Sequence, residues 1–564
     1  MSTSTPERVR PSKSNRSNGQ WSVDGHEPLN ANEVFKQADN GLNVRDRILN
    51  EYATTGFDSI TEEDLHGRFR WWGLYTQRKQ GLDGTHTGAP DSELEDKFFM
   101  MRIRLDGGQL TLDQLETLAG ISRDFARGTA DVSDRQNIQY HWIAIEDVPE
   151  IWRRIESVGL QTTEACGDVP RVVLGSPVAG VAQGELFDSS STVREIVDTY
   201  IGDPSLSNLP RKFKTAVTAH PSLDVVHEIN DVSFVGVEHP ELGLGYDLWV
   251  GGGLSTAPRL AERVGVFVRP EEAAEVWHGV VSIFRDYGFR RLRNKARLKF
   301  LIAQWGIEKF REVLETEYLK RPLPDGPAAV PDGAPADHIG VHEQKDGRHY
   351  IGAAPIVGRL NGDILTGLAA LAREVGAERI RLTPHQKVLL LDVATEHVDR
   401  AVAGLEELGL TPNPSPFRRY TMACTGIEFC KLSFVDTKAH AKRTILELEK
   451  RLDGLDLDER ITLHINGCPN SCVRIQTADI GLKGLLMDDG EGGHREGFQV
   501  HLGGGLAETT GTEANLGRTV KGFKIAADDL PDYVEGLVRS YLDQRTTGET
   551  FAQWAHRAEE GDLK

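Results

Sequence analysis

The chain has 564 residues, too many for one hydrophobic core, and its formal charge of −20 at pH 7 disfavours nucleic acid or an anionic membrane as partner, since both reward a basic surface. Five cysteines are too few for a secreted disulfide framework, and an odd count would leave one over, so a reducing, cytoplasmic setting is expected. No apolar run reaches the roughly 18 residues of a membrane span.

Residues 1–20, "MSTSTPERVRPSKSNRSNGQ", are rich in Ser and Arg but lack apolar periodicity, and read as a disordered tail rather than a targeting peptide. Residues 21–85 read as an N-terminal wrapping segment. From 86 to 165 comes a strand ("FFMMRIRL"), then a helix ("TLDQLETLAGISRDFARG") with Thr111 as N-cap and Leu112, Leu115, Ile121 and Phe125 on one stripe. Two further strands follow, and a second helix that starts at Asp147-Val-Pro and stops at Gly159. That order, β-α-β-β-α, is most of a ferredoxin-like unit.

Residues 166–319 mix strands, Gly-rich turns and helices. They carry "FRRLRNKARLKF", in which Arg290, Arg291, Arg293, Lys295, Arg297 and Lys299 stand without an acid; on a helix, three or four of them could face one way. "KRPLPDGPAAVPDGAPADH", 320–338, is a Pro/Gly linker. Beyond it the pattern repeats. "RQNIQYHWIAIEDVPEIWRRIESVGL" from 135 returns as "HQKVLLLDVATEHVDRAVAGLEELGL" from 385, an offset of 250, and "GYDLWVGGGL" from 245 returns as "GFQVHLGGGL" from 497. The expected fold is therefore α+β and internally duplicated: ferredoxin-like half-domains at 86–165 and 339–417, and larger mixed domains at 166–319 and 418–564.

Four cysteines form Cys424-x5-Cys430 and, thirty-seven residues on, Cys468-x3-Cys472; Cys166 stands apart in the first half. Two pairs converging from a distance suit a tetrathiolate site. Zinc, an iron–sulfur cluster and unligated buried thiols all remain open, although the x5 spacing is wide for a zinc knuckle. Pro469 and its flanking asparagines suggest a turn entering a helix, which would aim N–H groups at sulfur.

These residues resemble the siroheme and 4Fe–4S nitrite and sulfite reductases. "NGCPNSCVRIQTADIGL" is similar to that family's Gly-Cys-x3-Cys signature, followed by an acid and an apolar-Gly-apolar triplet, here Asp479 to Leu482. "ACTGIEFCKLS", "LPRKFK", the duplication and the linker also match, so the resemblance spans roughly residues 60–555. Asn466 replaces the usual small hydroxyl residue, a departure expected to be without consequence. The resemblance implies that Cys424, Cys430, Cys468 and Cys472 ligate the cluster and that Cys472 is also the proximal ligand of the siroheme iron. It implies that Arg102, Arg171, Lys212 and Lys214 hold the oxyanion, with Arg102 preferred over its neighbour Arg104. Arg135, Gln136 and Asn137, with Arg293, Lys295 and Arg297 of the basic stretch, are implied as siroheme contacts.

Lys214 stands where nitrite reductases of the family usually carry Asn. The extra cation favours sulfite over nitrite, so sulfite reduction to sulfide is expected, with nitrite reduction as the alternative. No dinucleotide fingerprint follows a strand, and the resemblance makes ferredoxin the electron donor. A zinc-stabilised binding protein is the rival outside catalysis, but it would need neither the basic stretch nor the lysine pair. By resemblance to actinobacterial relatives, Tyr75 and Cys166 could be joined by a thioether; a plain buried cysteine is the alternative.

Overall fold

Thr111 and Gln114 cap the helix Leu112–Phe125 reciprocally: the Gln114 N–H donates to Thr111 Oγ1 at 3.3 Å, and the Thr111 N–H donates to Gln114 Oε1 at 3.0 Å. In the second copy Asn361 caps Gly362–Glu374 by accepting from the Ile364 N–H at 2.8 Å, and the two helices pack against each other. The second helices run from Val148 to Ser157 and from Val398 to Glu407. Both are followed by a glycine with φ near +75°, Gly159 and Gly409, as the sequence predicts. The fold is a computed structural model that describes residues 30–455, 457, 459–507 and 514–564; the tail read at 1–20 lies outside these.

Each half-domain is an antiparallel sheet that borrows one strand from the other. The first sheet runs Leu74–Arg78, Glu95–Ile103, Ile138–Ile143, Thr129–Val132 and finally Arg359–Asn361 of the second half. The second runs Gly340–Glu343, His349–Ala353, Val388–Val393, Arg379–Leu382 and finally Gln109–Thr111 of the first half. Gly108 and Gly358 make the exchange sterically feasible: both have φ +70°, and a Cβ would lie 2.4 Å from the Leu382 carbonyl oxygen or 2.7 Å from that of Val132. One hydrophobic core accordingly runs through both half-domains, from Phe35 to Val169 and from Ile351 to Leu410.

The larger domains repeat as well. Each has a five-stranded sheet with two parallel and two antiparallel pairings: Pro170–Gly175, Phe213–Thr218, Val232–His239, Gly243–Val250 and Glu262–Val268, then Thr421–Ala423, Leu463–Asn466, Ile480–Asp488, His494–Leu502 and Arg518–Ala526. The correspondence reaches single hydrogen bonds. The Lys214 N–H donates to the Asp231 carboxylate at 2.8 Å and the Thr462 N–H to that of Asp479 at 2.9 Å. The Gly251 and Gly503 amides donate to the carbonyls of Asp231 and Asp479.

Residues 30–73 lie across this frame, where Lys36 Nζ bonds the Leu209 carbonyl and Trp71 Nε1 that of Ser207, both at 2.8 Å. The Pro/Gly linker is tied down at its end: Arg419 grips Asp337 bidentately at 2.7 Å, and His338 Nε2 meets Asp224 Oδ2 at 2.8 Å. No helix among the described residues is long and apolar enough to cross a membrane.

Candidate active site

The strand Leu463–Asn466 ends in a loop, Gly467–Arg474, that carries two of the cysteines. The helix expected after Pro469 is absent; a single 3-10 turn, Ile475–Thr477, closes the loop. Asn466 supplies the order a helix would have given. Its Oδ1 accepts from the Cys472 and Val473 amides at 2.9 and 3.3 Å, and its Nδ2 donates to the Cys468 carbonyl at 2.6 Å. Asn466 thus holds this loop at both ends.

The other pair sits on the loop after Thr421–Ala423. The Gly467 N–H donates to Cys424 Sγ at 3.3 Å, so the backbone-to-sulfur bond exists but comes from the strand end. Gly467 must be glycine here, because a Cβ would lie 1.8 Å from Ser433 Oγ. The N-terminal hairpin closes over the same loop: the Arg78 N–H donates to the Phe429 carbonyl at 2.9 Å and Thr87 Oγ1 to that of Ser433 at 2.6 Å.

The thiols feel one another. Burial, then Cys424 and Cys472, push Cys430 up to about 12; burial, then Cys472 and Cys430, push Cys468 up as well; burial, then Cys424, push Cys472 up to about 11. Four thiolates are thus unfavourable together unless a metal centre neutralises them. A single zinc would draw its four sulfurs to about 3.8 Å of one another, given Zn–S bonds of about 2.3 Å. Among the described residues, the only His, Cys, Asp and Glu groupings within 4.8 Å contain no cysteine. The four thiols form a donor set that fits a 4Fe–4S cube.

Cys472 is solvent-accessible, yet Lys212, Lys214 and Asp134 all act on its charge, so its accessible face belongs to an internal cavity rather than to the outer surface. Lys212 and Lys214 reach this cavity because Phe213 between them is buried against Trp277 and Phe284, which turns both neighbours to the opposite side of the strand. Lys212, Lys214, Asp134, Arg297, Ser471 and Arg474 are among the residues lining it. Burial, then Arg135, lower Lys214 to about 7; burial, then Lys214 and Arg297, hold Lys212 well below the usual lysine range.

Arg102 and Arg104 differ in their partners. Arg104 is committed to Asp106 at 2.7 and 3.0 Å and to buried carbonyls, including that of Pro170 at 3.2 Å. Arg102 turns instead to Gln139 Oε1 at 3.1 Å and Cys166 Sγ at 3.0 Å, and Tyr75 and Cys472 act on its charge. Arg171 donates through Nε to the Gly167 carbonyl at 2.9 Å and acts on Lys212 and Arg135. The structure therefore brings Arg102, Arg135, Arg171, Lys212, Lys214, Arg297 and Cys472 to one site.

Other expected contacts have different tasks. Gln136 is buried and bridges the halves, donating to the carbonyls of Gly175 at 3.0 Å and Leu382 at 2.9 Å; Asn137 accepts from the Leu105 N–H at 3.0 Å. Gln386 repeats the bridge by donating to the Ala423 carbonyl at 3.0 Å, so this feature belongs to the duplication. The basic stretch is not a helix: apart from a 3-10 turn at Arg293–Lys295 it is irregular until Leu298. Arg290 pairs with Glu33, Arg293 with Asp168 and Arg297 with Asp231, while Lys295 is exposed.

Sequence reasoning missed Arg70, Arg211, Asp134 and Arg474. Arg70 and Arg211 share a neighbourhood with Tyr75, Asp168 and Arg293, and burial lowers both. So many cations around one buried acid are costly by themselves, and they fit a polycarboxylate such as siroheme. The available signal was that Arg70 and Arg211 lie within "FRWWGLY" and "LPRKFK".

The sequence matches the model of the nitrite and sulphite reductase 4Fe-4S domain over residues 166–323 and 415–559, and that of the nitrite/sulfite reductase ferredoxin-like half domain over 92–158 and 342–408. The chain belongs to this family. Its cofactors are siroheme and a 4Fe–4S cluster, in line with the donor sets above. The chain is 59% identical to the sulfite reductase (ferredoxin) of Mycobacterium tuberculosis, over 99% of this chain and all of that one. It is 37% identical to the assimilatory ferredoxin-dependent nitrite reductase of Haloferax mediterranei, over 93% and 90%. The solved structure of the Mycobacterium tuberculosis NirA protein superposes with a TM-score of 0.94 at 59% identity, covering 97% of this chain and all of that one.

Proposed function

We propose that the protein is a cytoplasmic, ferredoxin-dependent sulfite reductase that takes sulfite to sulfide with six electrons. The observation that carries the reading is the pair Lys212 and Lys214 on one face of a strand beside Cys472. The cation added at Lys214 suits a dianion better than a monoanion. The full-length 59% relatives named as sulfite reductases agree, against 37% for the nitrite reductase.

Cys424, Cys430, Cys468 and Cys472 would hold the cluster, and Cys472, through its accessible face, the siroheme iron. Arg135 and Arg297, with Arg293, Arg70 and Arg211, would take the macrocycle's carboxylates. The cofactors, when bound, supply the metal site and the electrons. The chain's own residues orient the oxyanion and bring protons. Arg102 and Arg171 fix sulfite oxygens through their guanidinium forks. Lys214, lowered to about 7, can both give and regain a proton near neutral pH as each oxygen leaves as water; burial, then Lys214 and Arg297, hold Lys212 well below the usual lysine range. The free cysteines suit a reducing compartment.

Tyr75 and Cys166 both act on the charge of Arg102, so they share its neighbourhood, as a thioether between them requires. That bond removes two hydrogens and so requires an oxidant during maturation. An intact mass under reducing, denaturing conditions with no two-hydrogen deficit excludes it.

The deciding experiment compares kcat/KM for sulfite and nitrite with a reduced viologen and then with reduced ferredoxin. Preference for nitrite overturns the use of Lys214. Absence of turnover by fully loaded protein overturns the enzyme.

A further inference from the structure

Two groupings of metal-ligating side chains lie outside the active cavity among the described residues. His66, Asp91 and Glu95 form one, and Lys431 Nζ already sits on it, 3.0 Å from Asp91 Oδ1 and bonded to Glu95, so its acids have their cation. His220, Asp224 and His338 form the other, each presenting a ligand atom within 4.8 Å of the other two. Two imidazoles and a carboxylate, with no thiolate, are the donor set of a zinc-class divalent ion. Metal bonds of about 2.1 Å would place the three atoms about 3.4 Å apart, a short step from the spacing present.

The buried acid at this site differs from the others in its partners. Asp168, Asp231 and Asp337 each pair with an arginine. Asp224 is 0% exposed, yet among the described residues its one ion-pair partner is His338, whose Nε2 lies 2.8 Å from Oδ2. A buried carboxylate without a fixed cation is costly. Its surroundings are those of a metal ligand: Ser176 Oγ donates to Oδ2 at 2.6 Å and Thr218 Oγ1 to Oδ1 at 2.8 Å, which fixes the carboxylate. Ser222 Oγ meets His220 Nδ1 at 2.8 Å and fixes that ring in turn. Burial lowers His220; burial raises Asp224, but His338, His220 and Ser176 together bring it below its usual value. At neutral pH the His220 ring is therefore neutral and the carboxylate ionised, the forms that bind metal. His220 is only half-buried, which gives an ion a way in.

The donors come from separate parts of the chain. His220 and Asp224 follow the strand Phe213–Thr218 of the first larger domain, whereas His338 ends the Pro/Gly linker. The linker already lies on the His220 loop, since the Asp332 N–H donates to the Pro221 carbonyl at 3.1 Å. We propose that His220, Asp224 and His338 form a binding site for a zinc-class divalent cation that fastens the end of the linker to the first larger domain. Arg419 of the second larger domain grips Asp337, the residue before His338. Consecutive linker residues are then held from opposite halves, so the metal strengthens the join between the halves and takes no part in the chemistry at Cys472.

The test reads metal binding and is independent of the reductase reading. Holoenzyme is washed with EDTA, checked for an unchanged visible spectrum, and dialysed to equilibrium against radiolabelled zinc chloride. One saturable zinc per chain is expected, with a rise in Tm on binding. His338→Gln, whose amide can still donate to Asp224, is expected to weaken binding at least about a hundredfold, and Ser176→Ala, which removes a bond that holds Asp224, about tenfold. If His338→Gln does not fold, as shown by loss of the visible spectrum or of the thermal transition, His220→Gln takes its place with the same expectation. His66→Gln, in the other grouping, is expected to leave binding unchanged. Absence of saturable zinc, parental affinity in the His338 or His220 variant, loss of binding in His66→Gln, or equally good competition by magnesium, which prefers oxygen ligands, would each overturn the proposal.

Discussion

Replacing Asn466 by alanine tests whether the cysteine loop is held by a side chain rather than by a helix. The change removes three buried hydrogen bonds, from the Cys472 and Val473 amides and to the Cys468 carbonyl, at 2.9, 3.3 and 2.6 Å. At about 1 kcal/mol net for each, the loop loses about 3 kcal/mol against local opening. That corresponds to roughly a hundredfold more frequent exposure of the cluster ligands. The assay is the rate at which the 4Fe–4S absorbance bleaches when the holoenzyme meets a ferrous chelator, with global stability followed in parallel by calorimetry. Asn466→Ala is expected to bleach about a hundredfold faster, and Asn466→Thr, which keeps one acceptor, about tenfold faster. Bleaching of the alanine variant within threefold of the parent would refute the reasoning and return the order of the loop to its backbone.

Other outcomes follow from the same geometry. Lys214→Asn should lower kcat/KM for sulfite by about ten- to a hundredfold, the range of a lost charge-assisted bond, while nitrite falls less, so the ratio of the two specificity constants is the readout. Lys214 is lowered from 10.5 to about 7 by burial and Arg135, so its cation is present below that value and lost above it. kcat/KM for sulfite should therefore fall as pH rises through about 7, and Lys214→Arg should move the fall upward; an unchanged profile in that variant would remove Lys214 from the titration. Glu164 is buried and accepts from Ser207 Oγ and, at 2.9 Å, from the Gly202 N–H, and burial raises it from 4.5 to about 7. A carboxyl raised in the folded state stabilises below its unfolded value and loses that contribution as pH rises from 4.5 through 7. Glu164→Gln, whose amide can still accept from Gly202 and donate to Ser207, should gain up to about 3 kcal/mol at pH 8 and little at pH 4.5, read as a difference in Tm between the two pH values.

Local signals with strong periodicity or fixed chemistry were legible in the sequence. Thr111 with its apolar stripe, the glycine stops and the offset of 250 all reappear in the structure, because capping and repeat spacing are short-range. The exchanged strands were not legible: Gln109–Thr111 and Arg359–Asn361 are three residues each, abut helix starts and are strands only because the other half offers an edge. The charge of the basic stretch was visible but its partners were not, since Glu33, Asp168 and Asp231 lie far away in sequence. Gln136 and Asn137 attract notice as polar residues near a site, yet burial and tertiary bonds give them a structural task. The same holds for the linker, whose last residues Asp337 and His338 are anchored by side chains no local pattern announces.

The exchanged strands also set an order for biogenesis. While the ribosome is still synthesising the linker, the first half-domain exists with Thr129–Val132 as an open edge and with Gln109–Thr111 waiting for a sheet that has not been made. Neither half can finish alone: the first sheet waits for residue 361 and the second for residue 393. A chain cut within the linker and expressed as two fragments would have to assemble as a pair, each acting as the template for its twin.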